Sequence, residues 1–213
     1  MAILAYCIVL DDCAGALPAA GIFNSQLLQV AEAGLSAIYS QIEKTSISSA
    51  NFQQAALEFH NVVHAIFRQT AVVPFRFPTW LSAAELRQHL RSESMPYRTF
   101  LSQHANHVQM EARIRLAPSE QAAVSATGTE HLRARALHLR MVRETAEQTK
   151  QAVFNQVVEW RERETPDGLR LYALVERGSI AAFREKLSQR DIIRVSGPWP
   201  ATEFLESKAD RRA

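Results

Sequence analysis

From His107 to Leu116 the chain alternates strictly. Val108, Met110, Ala112, Ile114 and Leu116 interleave with Gln109, Glu111, Arg113 and Arg115. A period of two places each set on its own face of a strand, so this segment predicts a sheet with one apolar and one polar side. Ala2 to Leu10 behaves differently: it is a nearly unbroken apolar run closed by Asp11-Asp12, which suits a strand covered on both faces. Leu27 to Glu32 and Leu35 to Gln41 flank Ala33-Gly34, a tight hairpin turn in which Gly34 can take a positive φ. Gly15 to Gly21, with Pro18, and Lys44 to Ser49 read as loops.

A helical period takes over from about Asn51 to Gln69. Phe52, Ala55, Ala56, Phe59, Val63, Ile66 and Phe67 recur at three- and four-residue spacing and share a face, and Ser48 or Ser49 can cap the first turn. Ala71 to Phe77 reads as a short strand in which Pro74 demands an edge position or a bulge. Arg76 there points away from Phe75 and Phe77, toward solvent or a buried acidic partner. Ser82-x-x-Glu85 is a capping-box pattern opening a helix to about Glu93, and Pro96 suits the first turn of another helix reaching Ala105.

Beyond the alternating strand, Pro118 to Thr129 reads as a loop or frayed helix start. Glu130 to Glu164 contains neither Gly nor Pro and predicts a long helix, unbroken or broken once. Its expected buried stripe is Leu132, Ala136, Leu139, Val142, Ala146, Val153, Val157 and Trp160. Pro166-Asp167-Gly168 is turn chemistry. Leu169 to Glu176 follows as a strand, Ser179 to Gln189 as a helix and Asp191 to Ser196 as the last strand. The fold class is α+β with two domains: residues 1–105 form a small N-terminal α+β unit, and residues 106–213 form a C-terminal β-α-β-α-β unit. The latter is most of a ferredoxin-like arrangement, in which right-handed crossovers return each helix to one sheet.

Composition narrows the functional classes. The 213 residues are 47% hydrophobic and 22% charged, ordinary values for a globular chain able to bury a core. The net charge is +2, which offers no strong field for nucleic acid or an anionic membrane. No apolar run reaches the roughly twenty residues of a membrane span. The start of the chain lacks the basic segment of a signal peptide, so a cytoplasmic location is expected. Cys7 and Cys13 are the only cysteines and make no disulfide framework.

Candidate chemistry is sparse. His60 and His64 have the i, i+4 spacing of two helical metal ligands, but Asn61, Val62 and Val63 lie between them instead of the Glu-containing zinc-protease pattern. His104 and His107 straddle a helix-to-strand boundary. Asp11-Asp12 could hold a cation but reads more simply as a turn, and nothing local activates Cys13. No nucleophile elbow, phosphate loop or dinucleotide glycine pattern occurs, so no catalytic residue, metal or cofactor is assigned. Seven basic side chains from Arg133 to Arg163 are interleaved with six glutamates, a mixed solvated face and no nucleic-acid patch. A binding or catalytic domain with its site in the interdomain cleft is the competing class, with His60, His64 and Arg76 as its polar groups.

The end of the chain is the most distinctive segment. The β-branched run Ile192-Ile193-Arg194-Val195 meets Gly197-Pro198-Trp199-Pro200, where two prolines lack N–H donors and are expected to stop the ladder. Trp199 and Phe204 then bracket a tail that folds back, either as a lid on the core or as a rigid aromatic anchor for a partner. Val195-Ser196-Gly197-Pro198-Trp199-Pro200-Ala201-Thr202-Glu203-Phe204 resembles the C-terminal Gly-Pro-Trp-Pro-Pro-Tyr-Ser-Phe signature of the GvpL/GvpF gas vesicle accessory proteins. Thr70 to Thr79 is similar to that family's Val-Leu-Pro-Leu-Arg-Phe-Gly-Thr block, with Pro78 in place of Gly, and Gly34 to Ser40 to its Gly-Leu-Ala-Ala-Val-Val-Ser. His60 stands where the family usually has a His, and the three blocks occur in family order.

The resemblance implies a C-terminal ferredoxin-like domain and a non-enzymatic cytoplasmic factor associated with gas vesicles. It further implies binding of the small hydrophobic shell protein and other accessory proteins, in nucleation or growth of the vesicle wall. The partner-binding candidates are Pro74 and Arg76 near a free sheet edge, and Pro198, Trp199, Pro200 and Phe204 in the tail. Another assembly or stress role within the same family is the alternative.

Overall fold

The computed structural model describes residues 2–13, 17–115, 128–165, 168–188, 190 and 192–205. The loop expected from Pro118 and the turn at Pro166-Asp167 fall largely outside these residues, as do Leu116, Gln189, Asp191 and the Cys13 side chain. The chain divides into two compact units, the second spanning His107–Phe204.

The first unit carries β1 (Ala2–Leu10), β2 (Leu28–Glu32), β3 (Leu35–Ile42), α1 (Phe52–Phe67), β4 (Val73–Pro74), β5 (Trp80–Leu81), α2 (Ala83–Ser92) and α3 (Ser94–Gln103). Its antiparallel sheet runs β2-β3-β1-β4, with β5 also on β1. β1 is buried from Ile3 to Val9, so both its faces are covered, which accounts for its unalternating apolar sequence. The β2–β3 hairpin turns through Ala33 (φ 54°) and Gly34 (φ 78°), the paired positive φ of the tightest hairpin turn. Pro74 sits in the two-residue edge strand opposite Cys7, where its missing N–H breaks no interior ladder.

Tyr6 organises this core. Its ring stacks on Phe59 of α1 with centroids 5.1 Å apart, and Phe59 in turn meets Phe77 at 5.1 Å. Its buried hydroxyl donates to Ser40 Oγ at 3.2 Å and accepts from the Ile22 N–H at 3.0 Å, so no polar atom is left unmet in the apolar interior. The neighbouring Phe23 takes a left-handed backbone (φ 53°), uncommon for a bulky residue, and its N–H donates to Glu58 Oε2 at 2.8 Å. That bond, followed by one from the Gln54 amide, holds the Glu58 carboxyl below its ordinary range. Burial alone pushes the Cys7 thiol far up, so it acts as a small apolar side chain and not as a nucleophile.

Local rules account for most of the helices. Ser82 and Glu85 form the reciprocal capping box, at 3.2 and 2.7 Å, and Arg87 and Arg91 tie α2 to Glu32 of β2. α1 starts differently from expectation. Neither Ser48 nor Ser49 caps it; Asn51 takes the N-cap position, and its side chain accepts from the Ser48 N–H at 2.8 Å, ordering the preceding loop. Phe52 is exposed, and Val62 joins the buried face in its place.

The second unit carries β6 (His107–Ile114), α4 (Gly128–Ala152), β7 (Val157–Thr165), β8 (Gly168–Glu176), α5 (Ile180–Ser188) and β9 (Ile193–Trp199). The antiparallel sheet runs β7-β8-β6-β9. The helix expected to reach Glu164 ends at Ala152, and its last part is β7. Val157 to Thr165 carries Val157, Val158, Trp160 and Thr165, and cross-strand pairing with β8 outweighs the helical preference of its glutamates and arginines.

Val108, Met110, Ala112 and Ile114 are wholly buried, as the alternation of β6 requires. Trp160 meets Phe183 of α5 at 6.5 Å, while Arg143 bonds Glu164 at 3.2 Å and Lys150 pairs with Glu162. These contacts place α4 and α5 on the sheet face that carries Trp160, Glu162 and Glu164. The buried stripe of α4 covers only its second half. Val142 and Ala146 are buried, but Leu132, Ala136 and Leu139 are exposed, because the first half of the helix has no sheet beneath it among the described residues.

Two measurements check this account. Tyr6→Phe keeps the ring but strands the Ile22 N–H, and should cost about 1–3 kcal/mol in urea unfolding; no change would mean the hydroxyl is not needed. Glu58→Gln should destabilise at neutral pH, where the carboxylate is charged. Because the folded-state pKa of Glu58 is lowered, its contribution is present above the unfolded value and lost as pH falls through the folded one. The gap between wild type and variant should therefore close in acid, and a pH-independent gap would contradict the assignment.

Candidate functional site

The tail is built on a bulge. Ser196 pairs with Glu111 and Trp199 with Gln109, so β9 spends one residue more than β6 over this interval. Gly197 makes the bulge possible. Its φ is +115°, and a Cβ there would lie 2.9 Å from the Gln109 carbonyl oxygen and 3.0 Å from Met110 Sδ. Arg184 of α5 donates to the Gly197 carbonyl. The prolines therefore do not end the ladder at Ser196, as their sequence suggests. The bulge absorbs Pro198, whose peptide bond to Gly197 is cis, and pairing resumes at Trp199.

After Pro200 the chain makes a 3-10 turn, Thr202–Phe204, across the sheet face opposite α4 and α5. The Glu203 N–H donates to Gln109 Oε1 at 3.0 Å, Arg163 bonds the Glu203 carboxylate at 2.6 Å, and the Arg161 guanidinium lies 5.6 Å from the centre of the Phe204 ring. Phe204 and Ala201 are buried, whereas Trp199 keeps 36% of its surface exposed. The two aromatic residues thus have different roles: Phe204 closes the sheet face, and Trp199 stands beside it at the surface.

Pro198, Trp199, Pro200 and Phe204 share this one segment, while Pro74 and Arg76 belong to the first unit. Arg76 is exposed and faces solvent. The edge formed by β4 and β5 consists of two two-residue strands, one containing Pro74, and offers few N–H groups to an added strand.

His60 and His64 stack on α1 at 5.8 Å, and His64 meets Phe67 edge-on. Among the described residues no group of three or more His, Cys, Asp or Glu side chains could hold a metal ion. Asp11 accepts from Ser36 Oγ at 2.5 Å and Gly34 accepts from the Asp11 N–H, a turn role. The first unit has one depression of about 640 Å³ beside Asp11, Asp12 and Arg98, and another of about 500 Å³ beside Gly21, Phe23 and Glu58; His60, His64 and Arg76 line neither.

Sequence reasoning missed a second surface. On the first half of α4, Leu132, Leu137, Leu139 and Met141 are 42–66% exposed. Leu132 and Leu139 lie seven residues apart on one side and Leu137 and Met141 four apart on another, so exposed apolar side chains alternate with Arg133, Arg135, Arg140 and Arg143 around the helix. The signal was legible: Leu137 and Met141 fall outside the stripe that one covering sheet would use.

Among the described residues two antiparallel sheets and five α-helices define an α+β protein, and none of those helices is long and apolar enough to cross a membrane. The family described as gas vesicle synthesis protein GvpL/GvpF matches residues 2–206, and the chain belongs to it. The fold agrees with the crystal structure of the gas vesicle protein GvpF from Anabaena sp. PCC7120, at a TM-score of 0.77 with 12% identity over 97% of each chain. It agrees as well with GvpF from Microcystis aeruginosa, at a TM-score of 0.75 with 13% identity over 96% of this chain and 98% of that one. No curated protein matches the chain by sequence.

The tail geometry makes a prediction of its own. Gly197→Ala must force the bulge apart and Phe204→Ala must leave a hole under Arg161, so each should destabilise by about 2–4 kcal/mol in chemical denaturation. Trp199→Ala should cost less than Phe204→Ala, because more than a third of the indole stays exposed while Phe204 is buried. A Trp199→Ala loss as large as that of Phe204→Ala would show that the indole is core.

Proposed function

We propose that this chain is a non-enzymatic accessory protein of gas vesicle assembly, which binds the small hydrophobic shell protein and assists nucleation or growth of the vesicle wall. The observation that carries the reading is membership of the gas vesicle synthesis family over residues 2–206. We read the β-α-β-β-α-β order of the second unit as the ferredoxin-like arrangement. That scaffold holds two surfaces suited to an apolar client: the exposed half of α4 and the rim carrying Trp199. A subunit destined for an apolar wall exposes surface that drives aggregation unless something covers it. Leu132, Leu137, Leu139 and Met141 supply matching apolar area on a preformed helix, and burying each large apolar side chain contributes about 1.5–3 kcal/mol. Trp199 adds an aromatic contact on a stiff, proline-flanked backbone with little entropy to lose.

Co-expression with the shell protein of the same host, with a tag on one partner, tests this. The tag should retrieve the other protein, and retrieval should survive high salt because the contact is apolar. Leu132→Ser with Leu137→Ser should abolish retrieval while leaving the circular dichroism spectrum unchanged, and Trp199→Ala should weaken it. Absence of retrieval with both proteins soluble would remove the shell protein as the client and leave another assembly role within the family.

A further inference from the structure

The sheet register of the second unit aligns four arginines. Arg163 of β7 is opposite Arg170 of β8, Arg170 is opposite Arg113 of β6, and Arg113 is opposite Arg194 of β9. Directly opposed residues share a face, and Arg113 and Arg170 both meet Glu111, so the row lies on the side away from α4 and α5. With strands ~4.8 Å apart it spans roughly 15 Å. Like charges directly opposed across strands are destabilising, and here they occur three times in succession.

The internal compensation is incomplete. Glu111 is shared between Arg113, at 2.9 Å, and Arg170, at 3.7 Å; Glu203 serves Arg163; and Arg194 is exposed with no carboxylate partner among the described residues. Among the described residues two carboxylates therefore answer four guanidinium groups. Opposed like charges that are only partly compensated inside the molecule are expected where a surface has a functional role.

We propose that this arginine row is a docking surface for an acidic protein segment, whose carboxylates are spaced along one side to meet successive guanidinium forks. Arginine suits that partner because its planar fork binds a carboxylate through two parallel hydrogen bonds. The spacing suits it too: acidic residues at i and i+4 of a helix stand about 5–6 Å apart, close to the strand-to-strand step of the row. Single-stranded nucleic acid also seeks basic sheet faces, but it needs open aromatic rings for its bases. The two rings nearest the row are closed, and the partly exposed Trp199 lies further along the same sheet face. Tyr172 and Phe204 are buried, with Arg163 over the first and Arg161 over the second. This surface is distinct from the α4 contact proposed for the shell protein, although it shares a sheet face with Trp199, and its test uses the purified chain alone.

A fluorescein-labelled ten-residue polyglutamate peptide, titrated with the full chain by anisotropy, is the direct test. Binding should appear at low salt and fade as salt is raised. Arg194→Glu should weaken it roughly tenfold or more, and Arg194→Gln by a smaller factor. Arg68→Glu, which makes the same change in net charge in the first unit, should stay within about twofold of wild type. Circular dichroism confirms that each variant is folded. The proposal is overturned if the wild-type chain does not bind at about 0.1 mM, or if Arg194→Glu and Arg68→Glu have equal effects. It is also overturned if a ten-nucleotide oligothymidylate binds more tightly than the peptide, because the row would then serve nucleic acid.

Discussion

A four-stranded sheet with two helices can cover only one of its faces, and the second unit is arranged around that constraint. α4 and α5 take the side bearing Met110, Ala112, Trp160 and Leu171. The other side is left to side chains and to the end of the chain. The tail supplies a partial answer. The bulge at Gly197 carries β9 past two prolines, and the turn after Pro200 lays Phe204 against the sheet, held by Gln109, Arg161 and Arg163. Glu111, Arg113, Arg170 and Arg194 occupy much of the rest of that face, beside the buried Tyr172 and Leu174.

The first unit solves the same problem in another way. β1 has covered faces on both sides and neighbours on both edges, so it can be almost wholly apolar, and Cys7 disappears into it as one more small hydrophobe. The Tyr6 hydroxyl buried at its centre is fully partnered. Such a unit is a stable platform and offers little reactive chemistry. Its histidines sit on a helix face without a third ligand among the described residues.

Elements governed by local rules were legible in the sequence. The unbroken run of β1, the alternation of β6, the Ala33-Gly34 turn and the Ser82–Glu85 box each carry their signal within a few residues. β7 was not legible, because its neighbours share its lack of Gly and Pro, and what makes it a strand is β8, which lies beyond a turn. Trp199 and Phe204 are not told apart by sequence for a similar reason. Both are aromatic and near two prolines, but only the position of Gln109 and Arg161 decides which of them is buried. The arginine row was invisible for the clearest cause: Arg113, Arg163, Arg170 and Arg194 belong to four strands, and only the sheet register brings them into line.

The central claim is that this protein acts in building gas vesicles, and the most direct measurement is made in the cell. The gene is deleted from a host, or from a transplanted gas vesicle gene cluster, and vesicles are counted by electron microscopy alongside buoyancy. Loss or sharp reduction of vesicles, restored by the wild-type chain supplied in trans, is the predicted result. Vesicles of normal number and shape in the deletion strain would contradict the account.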